Sequence, residues 1–105
     1  MTVLVNGVRN QLIDQWETIY VASGNGVRIT AFTATNTTEV NVDFKAAITT
    51  SEDTFGETLP LTTIVRDRAN PGWELVNQDI PSGGTLKVQA SEAAGVEFRV
   101  TGKIL

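Results

Sequence analysis

Thr85-Leu86-Lys87-Val88-Gln89-Ala90 and Val96-Glu97-Phe98-Arg99-Val100 decide the fold class. In the first run Leu86, Val88 and Ala90 alternate with polar residues. In the second, Val96, Phe98 and Val100, with Ile104 as an optional fourth, alternate with Glu97, Arg99, Thr101 and Lys103. Successive side chains of an extended chain point to opposite faces, so a period of two marks a strand with one face in a core and one in water. The Ser91-Glu92-Ala93-Ala94-Gly95 segment between them reads as a turn, and the pair is predicted to be an antiparallel hairpin. Gly102 interrupts the second strand and marks either a bulge or a close backbone approach.

Working towards the N-terminus, the pattern repeats. Val40, Val42, Phe44, Ala46 and Ile48 alternate with Asn41, Asp43, Lys45 and Ala47. The polar cluster Asn36-Thr37-Thr38-Glu39 joins this strand to the run Val27 to Thr35, predicting a second hairpin. Alternation fails at Phe32 in that run, as it would if the strand were covered on both faces or bulged near Ala31. Trp16 to Val21 is a further strand, ended by Ala22-Ser23-Gly24-Asn25-Gly26, whose Asn-Gly pair suits a tight hairpin turn. Leu59 to Arg66 and Trp73 to Ile80 are expected to be strands, and Thr49 to Thr58 a long polar loop. Val3, Leu4 and Val5 are open to two readings, a short edge strand or an extended arm lying on a neighbouring subunit.

Six to eight short strands, frequent turns and no helical period predict an all-β antiparallel two-sheet sandwich, jelly-roll-like or immunoglobulin-like, with an open barrel as rival. At 105 residues the chain is long enough for one core. The expected organisation is residues 1–15 as an N-terminal arm or edge strand and 16–105 as one sandwich domain. Neither a secretory leader nor a long apolar run is recognisable, which predicts an unprocessed soluble protein that does not enter a membrane.

Composition narrows the chemistry. The net charge is -4, and the eight Lys and Arg residues are scattered, whereas nucleic-acid binding needs clustered cations; no nucleic-acid partner is expected. With neither His nor Cys, the chain lacks the commonest general base, the commonest zinc ligands, a thiol nucleophile and disulfides. Paired carboxylates remain, but the adjacent Glu52 and Asp53 read as a solvated acidic loop. A calcium site, if present, would be sought among Glu52, Asp53 and Glu57, where no EF-hand spacing occurs. No enzyme activity and no cofactor are expected. Asn36-Thr37-Thr38 fits the glycosylation pattern but reads better as a turn. Trp16, Tyr20 and Trp73 suit core packing, sugar stacking or a protein interface. Phe55, set in a polar stretch, is a candidate interface residue together with Val3, Leu4 and Val5.

Three segments carry a resemblance. Ile19-Tyr20-Val21-Ala22-Ser23-Gly24, followed by Val27-Arg28-Ile29-Thr30 and Ala34-Thr35-Asn36-Thr37, is the first, and Ile80-Pro81-Ser82-Gly83-Gly84-Thr85-Leu86-Lys87-Val88 the second. The last is the hairpin Ala90 to Gly102. Together these resemble the small β-sandwich structural proteins of tailed-bacteriophage virions, of the capsid-decorating and tail-accessory kinds. The resemblance implies a decoration or cement protein, made in the host cytoplasm, that joins the virion and binds capsid or tail proteins. It also implies a homo-oligomer, trimer or dimer, and no catalytic residues. A tail or baseplate accessory protein and a carbohydrate-binding sandwich module are the alternatives.

Overall fold

The computed structural model describes residues 2–9, 15–52, 54–64, 68–71, 75–91 and 95–105, with 2–9, 56–62 and 70 described by their backbone. Nine strands occur among them: β1 (Thr2–Arg9), β2 (Glu17–Val21), β3 (Val27–Asn36), β4 (Val42–Thr49), β5 (Phe55–Ile64), β6 (Ala69–Asn70), β7 (Asp79–Ile80), β8 (Thr85–Ala90) and β9 (Val96–Ile104). Seven are long, and they form two antiparallel sheets packed as a sandwich, β2-β8-β4-β5 and β1-β9-β3; the two-residue strands β6 and β7 pair with β3.

The wiring separates the two sandwich readings. β1 pairs with β9, β2 with β8, β3 with β6 and β7, and β4 with β5, so the chain is one long folded ribbon. That ribbon is wrapped so that β9 also meets β3, and β8 also meets β4. This order is the jelly roll. An immunoglobulin sandwich would keep its first two strands side by side in one sheet, whereas here β1 and β2 lie in different sheets.

Both predicted hairpins are corrected by this topology. β8 and β9 have the expected inward residues, apart from Ile104, which is exposed at the end of β9, but they sit in opposite sheets, and so do β3 and β4. The Asn36–Asn41 connection is therefore an arch that carries the chain from one sheet to the other. Its polar residues serve that crossing: the Asn36 side chain is buried, donates to the carbonyls of Val40 (2.7 Å) and Ile64 (2.9 Å), and accepts from the Thr38 amide (2.8 Å) and hydroxyl (2.7 Å). All four hydrogen-bonding positions of the amide are used. Val40 is exposed in the arch and is not part of β4. The side-chain nitrogen of Asn36 is enclosed, so an oligosaccharyltransferase acting on folded protein should leave the Asn36-Thr37-Thr38 pattern unmodified, with the intact mass as the check.

The connection from β2 to β3 likewise crosses between sheets rather than closing a hairpin. Its turn centres on Gly24 and Asn25, with the Gly26 amide donating to the Ser23 carbonyl (3.1 Å). Gly24 has φ +61° and Gly26 φ +96°, so positive φ falls on the glycines while Asn25 is not in that region.

In β3 the broken alternation has the bulge as its cause. The register with β9 steps between Ile29 and Ala31, next to Gly102, and this lets both Ile29 and Phe32 point into the core while Thr30 and Ala31 stay outside. The predicted Thr49 to Thr58 loop shrinks to residues 50–54, because β4 runs to Thr49 and β5 begins at Phe55. Within the described part of the predicted Trp73 to Ile80 strand, residues 75–80, only β7 is a strand. Asn77, at φ +68°, turns the chain so that its amide donates to the Ile29 carbonyl (2.8 Å), and the Ile29 amide donates to the Gln78 carbonyl (2.9 Å). Trp73 and Arg66 lie outside the described residues.

The core fills the space between the sheets. Phe98 stands with its ring centroid 6.0 Å from Phe32 in its own sheet and 6.0 Å from Phe44 in the opposite one. Leu86, Val88, Val42, Ile48, Ile80 and Leu75 pack around them, with Ile19 and Tyr20 at the margin. Gly84 is held by its neighbours: a Cβ there would run into the Thr49 carbonyl oxygen and stand 2.9 Å from Pro81. Gly84→Ala is accordingly expected to cost about 1 to 3 kcal/mol in chemical denaturation.

Arg28 on β3 donates through Nε to Asp79 on β7 at 2.8 Å, with both side chains nearly half exposed. The hydrogen bond from Arg28 holds the Asp79 carboxyl below its usual range, so this pair's contribution is present above the ordinary aspartate pKa and fades as pH falls through the lowered one. Exposed pairs are screened by water and salt. Asp79→Asn should barely move the neutral-pH melting temperature, and a large fall would show that the pair anchors β7.

Candidate functional site

The face most equipped for recognition is the outer side of the β2-β8-β4-β5 sheet. Since Leu86, Val88 and Ala90 of β8 and Val42, Phe44, Ala46 and Ile48 of β4 point inward, alternation sends Thr85, Lys87 and Gln89, and Asp43, Lys45, Ala47 and Thr49, outward. The register lays them in rows. One row runs Val21, Thr85, Thr49, Phe55 across all four strands; the next runs Thr18, Lys87, Ala47, Thr58; a third brings Gln89 beside Lys45.

Hydroxyl groups tie the rows together. The Thr49 and Thr85 hydroxyls share a hydrogen bond of 2.5 Å, Lys87 Nζ donates to Thr18 at 2.7 Å, and Thr63 donates to Asp43 at 2.5 Å. Over this polar floor sit two aromatic rings. Trp16, just before β2, and Phe55, at the start of β5, meet with ring centroids 5.3 Å apart and planes inclined by 55°. The Lys45 ammonium lies 5.4 Å from the centre of the Trp16 ring, a cation–π arrangement that places the indole on the outer face. Ala47 belongs to this face and not to the core cluster, yet it is fully buried. Its burial needs a cover from outside, and the Trp16–Phe55 pair beside Lys45 is a described group large enough to provide it.

Phe55 is 46% exposed, far more than a core aromatic, and Val21 in the same row is 57% exposed. The predicted interface residues therefore separate. Phe55 belongs to this face, although it opens a strand instead of standing in a loop. Val3, Leu4 and Val5 lie in β1, on the other sheet, where Val3 pairs with Thr101 and Val5 with Val100 of the same chain. Their side chains are outside the described residues. Sequence reasoning singled out Trp16 but missed that Phe55 is its partner, and missed Lys45 altogether; the signal was an aromatic, Phe55, set in a stretch read as a polar loop.

Among the described residues no group of three or more acidic side chains is gathered to hold a metal. Glu52 is exposed in the β4–β5 turn, while Asp53 and the Glu57 side chain lie outside the described residues. Tyr20 packs against the core margin and so is not an open platform for a sugar ring. No protein family, curated protein or solved structure matches this chain. Function has to be read from the face itself.

Proposed function

We propose that the chain is a virion structural protein that decorates a phage capsid, docking on the shell through the outer face of its four-stranded sheet and stabilising it by protein–protein contacts. The observation that carries this reading is the pairing of partly buried Trp16 with the 46%-exposed Phe55 on a sheet face lined with hydroxyl groups. Aromatic anchors surrounded by polar groups are the usual source of binding energy in protein interfaces. Jelly rolls serve in viral capsids, among other places, but a fold does not carry a function by itself; the resemblance in the Tyr20 to Thr37 and Ile80 to Gly102 segments adds the virion context.

Copies are expected to associate as trimers or dimers to match a lattice. Strand addition is a poor route for that association. β1 is committed to β9 and has two register steps, β2 is five residues long with one, and β5 carries Pro60 and two steps. Bulges and proline blunt sheet edges against pairing. Contacts through faces and loop ends remain.

The test is co-sedimentation of the protein with purified shells of the phage that encodes it, comparing wild type with the Trp16→Ala and Phe55→Ala variants. Each truncation should weaken binding by about 30-fold, equivalent to a hot-spot loss of about 2 kcal/mol, with the circular dichroism spectrum retained. Wild-type binding by both variants would overturn the docking face, and failure of the wild-type protein to bind shells or tails would overturn the virion role. The partly exposed indole also suits a carbohydrate-binding module, which predicts a change in Trp16 fluorescence on adding glycans. A response to glycans with none to shells would favour that reading.

A further inference from the structure

We propose that Asn25 is a site of spontaneous deamidation and isoaspartate formation, and that this change loosens the anchoring of the C-terminus. The chain contains two Asn-Gly pairs, Asn6-Gly7 and Asn25-Gly26. In such a pair the following residue has no Cβ to shield its backbone nitrogen, which can attack the asparagine side-chain carbonyl. The two pairs occupy opposite environments. Asn6 lies within β1, paired with Arg99, with the register stepping between Asn6 and Val8, so Asn6-Gly7 sits inside a strand flanked by paired residues. Asn25 is an exposed central residue of the β2–β3 turn, with its amide group in water.

The reaction balances with solvent water alone. The Gly26 nitrogen forms a bond to Asn25 Cγ, the bond from Cγ to Nδ2 breaks, and ammonia leaves carrying the proton released from the Gly26 nitrogen. Water then opens the resulting cyclic imide at one carbonyl or the other, leaving either an ordinary aspartate at position 25 or an isoaspartate with the chain rerouted through Cγ. The attacking nitrogen makes a 3.1 Å hydrogen bond to the Ser23 carbonyl, a turn bond that opens more easily than a sheet ladder, and the seating of Gly26 against Ile80 must loosen with it.

The consequence reaches beyond the turn because Gly26 is tightly seated. A Cβ there would lie 2.6 Å from the Ile80 carbonyl oxygen, and the Gly26 carbonyl accepts from the Leu105 amide at 3.0 Å. An isoaspartate inserts an extra backbone carbon directly before this residue. Gly26 cannot then keep both its contact with Ile80 and its bond to Leu105. Each event also adds one negative charge to a chain that already carries -4.

The experiment ages folded protein at mildly alkaline pH and follows it by peptide mapping and isoaspartyl-methyltransferase labelling, with urea-unfolded protein in parallel. Conversion at Asn25 several-fold faster than at Asn6 in the folded protein, near-equal rates in the unfolded one, and no labelling at position 25 in Asn25→Gln support the site. Protection of Asn25 to the level of Asn6 in folded protein overturns it. Hydrogen exchange of the Leu105 amide should be faster in the isoaspartate fraction; unchanged exchange overturns the coupling to the C-terminus.

Discussion

Asn36→Leu is expected to lower the unfolding free energy by about 2 to 3 kcal/mol, chiefly the cost of leaving the buried Ile64 carbonyl without a partner. Leucine has the same heavy-atom count and branching as asparagine, so the change removes hydrogen bonds without opening a cavity. The carbonyls of Val40 and Ile64 and the amide of Thr38 all turn towards the Asn36 side chain; the Val40 carbonyl would keep its bond from the Thr38 hydroxyl, but leucine offers the Ile64 carbonyl and the Thr38 amide no replacement. The Ile64 carbonyl is the most serious, because its bond is fully buried and joins the arch after β3 to the end of β5. Against a total stability of about 5 to 15 kcal/mol for a domain of this kind, the variant should lose a large share of its margin. Urea unfolding with an unchanged m-value should detect it. A variant within about 1 kcal/mol of wild type would show that water replaces these bonds and that the arch is not held by Asn36.

Phe98→Ala is expected to be at least as damaging, at about 3 to 5 kcal/mol. Phe98 is completely buried and lies against Phe32 and Phe44, so it joins the two sheets at the middle of the sandwich. Removing the ring forfeits burial on both sides and leaves a cavity between sheets whose ladders resist collapse. Phe98→Leu, which keeps most of the volume, should cost distinctly less. Equal losses for the two variants would point to a requirement for aromatic geometry rather than for filled space, and a small loss for Phe98→Ala would mean that the sheets close over the gap. Neither position belongs to the proposed docking face, so shells should still bind whatever fraction of these variants remains folded.

Trp16 and Phe55 illustrate how the site escaped sequence reasoning. Each was visible as an aromatic without a secure place in the core, but they come from opposite edge strands of one sheet, and nothing local states that β2 and β5 share that sheet. Lys45 looked like any polar residue on the outer side of a strand. Its role beside the indole depends on the register of β4 with β8 and on the path of the chain before β2. Phe55 drew attention for the right reason, an aromatic among polar residues, and was misplaced only because a five-residue connection was read as part of a longer loop.

The strands themselves were legible because side-chain direction alternates along an extended backbone, and burying one face imposes that alternation on the residues. The inward sets of β4, β8 and β9 are those that period two selects, and the failure of alternation in β3 truly marked a bulge. The sequence by itself therefore determined an all-β chain with one core, and it identified which face of each of these strands points into that core. Partnership between strands was decided only by the tertiary structure. A polar turn can return the chain beside the previous strand or carry it over to the facing sheet, and both leave the same period in the flanking strands. What selects the crossing here is a set of distant contacts: Asn36 with Ile64, β9 between β1 and β3, and Phe98 against Phe44 across the sandwich. Those contacts form only once the whole ribbon has wrapped, which is why the jelly roll and the face bearing Trp16 and Phe55 belong to the tertiary structure.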